Sequence, residues 1–61
     1  MTPIFLRIND VIKITSLSRS TIYRMMLTGD FPKQIQIGLR QARWLRDDVI
    51  EWCEQQIEKA S

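Results

Sequence analysis

Apolar residues recur along this chain at two different periods, and the switches between them mark out its elements. Phe5-Leu6-Arg7-Ile8 is short and apolar, which suits a brief strand or an extended lead-in. Val11, Ile12 and Ile14 then fall at helical spacing and predict a short helix that ends near Thr15 and Ser16. Asn9 is a good N-cap for it, with Asp10 in the first turn, where negative charge suits the helix dipole.

A second helix is announced by Ser18. Its hydroxyl suits an N-cap, and Leu17 just before it and Ile22 four residues after it have the spacing of a hydrophobic staple. The helix runs over residues 18–28, and Gly29 is placed to end it in the left-handed conformation. Two short helices flanking a tight turn form the helix-turn-helix pattern. A 3.6-residue wheel turns Ile22, Met25 and Met26 inward and Ser20, Tyr23, Arg24 and Leu27 outward, with Arg19 and Thr21 at the boundary. The outward mixture of cations, hydroxyls and an aromatic suits base edges and phosphates. An ordinary solvated face is the plainer alternative, but it leaves the apolar surface of Tyr23 and Leu27 unexplained.

Phe31-Pro32 stops the helix from resuming. Period-two alternation follows in Ile35-Gln36-Ile37 and Ala42-Arg43-Trp44, separated by Gly38-Leu39-Arg40-Gln41, and this predicts a β-hairpin. Ile35, Ile37, Ala42 and Trp44 are expected to face the core, with Arg43 outward and Arg40 near the tip. A basic hairpin beside a helix-turn-helix is a wing, suited to the DNA backbone or minor groove, and Trp44 requires it to complete the core as well. The last helix begins around Arg46 to Asp48. Arg46 caps it if Leu45 and Ile50 form a staple, and Asp47 caps it by residue type. Val49, Trp52, Cys53 and Ile57 form its expected inward stripe. Glu51, Glu54, Gln55 and Glu58 face solvent.

Charge sharpens this picture. The net charge is only +2, but residues 1–46 carry eight basic side chains against two acidic ones, and residues 47–61 carry one against five. The basic part is oriented toward a polyanion and the last helix is not. With 61 residues there is room for one domain, spanning residues 1–61, and such a small domain has little stability to lose to an active site. There is no histidine, and the lone Cys53 provides neither an internal disulfide nor a cysteine zinc site. Asp47 and Asp48 are adjacent and do not converge as a catalytic pair should. No catalytic residue, metal, cofactor or small-molecule ligand is expected, and the chain reads as a non-enzyme. The first residues do not suit a signal peptide, and no apolar run approaches the ~20 residues that span a bilayer, so a cytoplasmic protein with no membrane partner is expected.

The run Leu17-Ser18-Arg19-Ser20-Thr21-Ile22-Tyr23-Arg24, then Gly29, Phe31-Pro32, Gly38, Arg40, Trp44-Leu45, Val49 and Trp52, closely resembles the AlpA family of small phage and prophage regulators, over residues 5–57. That family is related to excisionases and to the DNA-binding part of MerR-type regulators. The resemblance implies a mainly α winged helix-turn-helix with a small β-hairpin. Residues 18–28 would be the recognition helix and residues 38–43 the wing. Leu39 stands where many members have a second glycine. The implied function is sequence-specific binding of double-stranded DNA to regulate mobile-element genes such as an integrase gene. The alternatives are an excisionase-type architectural factor and a protein-docking antirepressor. The expected DNA-binding residues are Ser18, Arg19, Ser20, Thr21, Tyr23 and Arg24 from the helix and Arg40 and Arg43 from the wing. A monomer in free solution, loading in several copies on repeated sites, is expected, because the last helix spends its apolar stripe on its own core and its outer face is acidic.

Overall fold

The computed structural model describes residues 4–60. Met1, Thr2, Pro3 and Ser61, which the sequence reading includes in the same domain, lie outside the described residues. The described elements run β1 (Phe5–Leu6), α1 (Ile8–Thr15), α2 (Arg19–Thr28), β2 (Ile35–Gly38), β3 (Gln41–Leu45) and α3 (Arg46–Ala60). This is a mainly helical fold with a small antiparallel sheet, in the arrangement of a winged helix-turn-helix.

The first helix starts two residues earlier than its pattern predicts, with Arg7 rather than Asn9 at the cap. Arg7 stands at the cap position in extended backbone, and its N–H donates to the Asp10 carboxylate at 3.0 Å. Asn9 is therefore a first-turn residue rather than the N-cap. Asp10 satisfies the orphan donor by reaching back three residues, which a side chain at Asn9 is not placed to do. At the other end, Thr15 organises the turn. Its hydroxyl donates to the Val11 carbonyl at 2.8 Å and accepts from the Leu17 N–H at 3.2 Å. Ser16 between them adopts φ 62°, a left-handed cap.

The second helix forms where its signals place it. The Ser18 hydroxyl accepts from the Thr21 N–H at 3.3 Å. At its end the Asp30 N–H reaches the Met25 carbonyl at 2.8 Å and the Gly29 N–H reaches Met26 at 3.3 Å, with Gly29 at φ 82°. This is a Schellman closure, and the left-handed backbone explains why glycine stands there. Ile22 is buried and Met25 and Met26 pack against the core, while Ser20, Tyr23, Arg24 and Leu27 are exposed, as the wheel predicts.

The sheet has three strands in the order β1-β3-β2, so β3 is central and the brief first strand joins the hairpin. Phe5 pairs with Leu45 and Leu6 with Trp44; on the other side Ile35 pairs with Arg43 and Gln36 with Ala42. Directly paired residues share a face of a sheet. Leu6, Trp44 and Ala42 therefore lie on one face, and Phe5, Leu45, Arg43 and Ile35 on the other. This corrects the expectation that Ile35 and Ile37 face the core with Trp44. The hairpin register puts Ile35 on the Arg43 face, and both isoleucines are exposed.

Leu6, Val11, Ile22, Phe31, Trp44 and Val49 form the core, and none of the buried side chains among the described residues is polar or charged. Trp44 is its centre. Its indole N–H donates to the Pro32 carbonyl at 3.0 Å, and its ring meets Phe31 edge-on at 6.4 Å. From α3, Trp52 donates to the Asp30 carbonyl at 2.6 Å and also meets the Phe31 ring, at 4.8 Å. Two indoles thus fix the connection between α2 and the hairpin, and both pack on Phe31. Within α3, Val49 is buried and Trp52 and Cys53 pack against the core, but Ile57 is 69% exposed and does not belong to the inward stripe. The core-facing direction of α3 is already supplied by Val49, Trp52 and Cys53, and Ile57 has turned past its edge. The helix begins at Arg46 directly from β3, so Arg46 and Asp47 both sit inside its first turn rather than at the cap. No helix among the described residues is long and apolar enough to cross a membrane.

Candidate nucleic-acid interface

The expected contact residues divide into those the fold uses internally and those it leaves facing solvent. Ser18 and Thr21 belong to the first group. Their hydroxyls lie 2.7 Å apart at the start of α2, and Ser18 also caps the helix. Ser20 approaches the Ser18 hydroxyl at 3.4 Å but is exposed. Arg19 reaches back to the Asn9 side chain at 3.3 Å, a contact that braces α2 against α1 while leaving the guanidinium exposed. Arg24 is exposed on the outward face of α2.

Tyr23 has a double position. It is 38% exposed, yet its ring lies 6.0 Å from that of the buried Trp44. The helix face and the hairpin therefore meet at this side chain. Beyond it a groove of about 430 Å³ opens, lined by Arg7, Tyr23, Gln34, Arg40 and Arg43 among others. Three guanidinium-bearing residues from two distant parts of the chain share its wall with a phenol. Arg40 and Arg43 are the two basic residues expected of the hairpin. Arg19, Ser20 and Arg24 lie outside this groove, on the adjoining face of α2.

The hairpin is shaped by its turn. Gly38 pairs with Gln41, with an irregularity in the register between Gln36 and Gly38, so Leu39 and Arg40 form the tip. Arg40 takes φ 64°, an uncommon conformation for a residue with a side chain. Leu39 is 95% exposed. Arg43 donates a terminal guanidinium N–H (Nη1) to the neighbouring Ala42 carbonyl at 2.9 Å, which folds the guanidinium back along its own strand.

Arg7 was missed among the candidates. The available signal was the alternation Phe5-Leu6-Arg7-Ile8: once Leu6 is inward, Arg7 follows on the open side. What the sequence could not provide was the β1–β3 pairing that brings it beside residues 40–43.

A second groove, of about 550 Å³, lies between the end of α2 and α3 and has the opposite character. Asp30, Asp48 and Glu51 line it, with Lys59 as its cation. It does not suit a polyanion. The half-buried Cys53 has its thiol pushed up from the ordinary value, first by burial and then by the Glu54 carboxylate, so it stays protonated and poorly nucleophilic. No group of three or more His, Cys, Asp or Glu side chains that could hold a metal is found among the described residues.

A family model described as "Prophage CP4-57 regulatory protein (AlpA)" matches residues 4–57. A curated relative, the uncharacterized protein ORF88 of Enterobacteria phage P4, is 42% identical over 48 residues, covering 79% of this chain and 54% of the relative. The chain thus spans about half the length of that relative. No solved structure gives a significant match.

Proposed function

Because the chain belongs to the family of the prophage AlpA regulatory protein, we propose that it binds duplex DNA in a sequence-specific manner and regulates transcription of phage or mobile-element genes, an integrase gene among them. The observation that carries this reading is the convergence of Tyr23 on α2 with Arg40 and Arg43 on the hairpin around one basic groove. It supports a geometry in which α2 enters the major groove and the hairpin lies on the backbone or minor groove. Arg24, with Arg19 and Ser20, reads or approaches base edges, and Tyr23 stands between those residues and the backbone, at the helix side of the groove. Ser18 and Thr21 set the helix start against the phosphates. The role is binding rather than catalysis, and it is exercised in the cytoplasm. The free protein is a monomer, and several copies load side by side on repeated sites, where effective concentration adds to the affinity of each.

A second reading, an excisionase-like architectural factor in site-specific recombination, is favoured by Leu39. An apolar side chain this exposed at a hairpin tip is of the kind that wedges between base steps and bends the duplex.

Selection from a random duplex pool, followed by binding titrations across salt concentrations, tests the common premise. The expected result is enrichment of one motif and a steep loss of affinity with salt. Failure to enrich any motif, with flat and weak binding to all duplexes, would overturn it in favour of a protein-docking module working through Tyr23 and Leu27. On an enriched site, a bend measured by circular permutation that is lost in Leu39→Ala selects the architectural reading.

A further inference from the structure

A helix in the major groove and a hairpin in the adjacent minor groove necessarily straddle something. Between those two grooves runs one sugar–phosphate strand, and it must pass through the notch between helix and hairpin. In this fold the notch is the groove of about 430 Å³ whose wall combines Tyr23 of α2, Arg40 and Arg43 of the hairpin, and Arg7 from the junction of β1 and α1. We propose that this groove is a phosphate cradle seating the backbone ridge between the two grooves, and that Arg7 is its third cationic contact.

The inference rests on the DNA-binding reading and deepens it by naming which part of the duplex the groove holds. Arg7 is well suited to the task. It is exposed, and among the described residues its side chain makes no ion pair. Its backbone is held in place by the Asp10 carboxylate. Immediately before it, Leu6 is locked in the core against Trp44, so the guanidinium hangs from an anchored residue rather than a loose end. Arg40 and Arg43 sit on a hairpin whose central strand is that same β3. The backbone segments that carry the three cations are therefore tied together through one sheet. Tyr23 adds a hydroxyl donor on the helix side, held by its ring contact with Trp44. Guanidinium groups and a phenol around one notch match a phosphodiester, which offers acceptors and no donors.

The test uses the whole chain, a duplex containing its selected site and a random duplex. Arg7→Ala should weaken binding on both, because a phosphate contact carries no sequence information. It should also flatten the salt slope by about 0.9, so that the affinity gap from wild type narrows about 3.5-fold as salt rises fourfold. Arg7→Lys should restore the slope, and thermal melts of both variants should match wild type. A neutral methylphosphonate scanned along the backbone should then find a ridge position at which Arg7→Ala costs nothing further. If wild type binds with a steep salt slope and Arg7→Ala superimposes on it, the cradle is overturned while DNA binding stands. Loss confined to the selected site, with an unchanged slope, overturns it too, by making Arg7 a base contact. If wild type itself binds no duplex, the parent reading fails instead.

Discussion

Tyr23 and Trp44 meet with ring centroids 6.0 Å apart and planes tilted by 51°. One ring belongs to the solvent-facing side of the second helix and the other to the centre of the core. Contact and scaffold are therefore joined at Tyr23, and its substitution tests both. Tyr23→Phe keeps the ring contact and should melt like wild type while binding DNA more weakly through the lost hydroxyl. Tyr23→Ala should add a stability loss of about 0.5–1.5 kcal/mol from the aromatic pair, beyond the area it uncovers. Thermal melts and binding titrations of the two variants separate the contributions. Equal binding by Tyr23→Phe and wild type would remove the hydroxyl from the interface.

Arg24 lies outside the basic groove, on the open face of α2. A bidentate arginine–guanine contact discriminates by roughly 1–3 kcal/mol. Arg24→Ala should therefore cost about that much on the selected site, little on random DNA, and relax preference at one base pair. A uniform loss on both duplexes would make it a backbone contact.

Arg40 holds φ 64° at the hairpin tip. Left-handed backbone costs a residue with a Cβ roughly 1–2 kcal/mol, a strain glycine does not carry. Arg40→Gly should therefore fold at least as stably as wild type, with part of the gain offset by the freer unfolded chain. It should bind DNA more weakly, with a salt slope about one unit shallower. Chemical denaturation and salt titration should move in opposite directions, and a variant that loses stability contradicts the strain argument.

Trp52 carries the hold of α3 on the rest of the domain. It hydrogen-bonds the Asp30 carbonyl and packs on Phe31. Trp52→Ala should cost about 3–5 kcal/mol, a large share of what a small domain possesses. A cooperative melt near the wild-type midpoint would show that α3 is not a buttress.

The helices were legible because their information is local. Ser18, Leu17 with Ile22, and Gly29 are start and stop signals read within a few residues, and the faces of α2 follow from a wheel. The hairpin tip was equally local. What escaped was information carried by pairing. Which isoleucines of the hairpin turn inward depends on register, and Ile35 opposite Arg43 reverses the assignment that alternation alone suggested. Phe31 reads as a helix-stopping neighbour of Pro32, yet it is buried and packs against two tryptophans that arrive from β3 and α3. Arg7 escaped for the same reason. Its relation to Arg40 and Arg43 exists only after strands far apart in sequence have met.

That meeting governs when the molecule becomes itself. Phe5 and Leu6 pair with Leu45 and Trp44, and the Arg46 N–H closes on the Ile4 carbonyl at 2.7 Å. The two short helices can form within their own segments in about a microsecond, but this closure joins residues forty apart and must bear the entropy of the intervening chain before it gains anything. During synthesis the helix-turn-helix leaves the ribosome without Trp44 beneath it. A nascent chain halted before β3 is thus a pair of fluctuating helices without a shared floor, and it holds Arg7 with no hairpin to face. Folding and the assembly of the basic groove are thereby coupled, because the pairing that sets Leu6 against Trp44 also brings Arg7 to the hairpin.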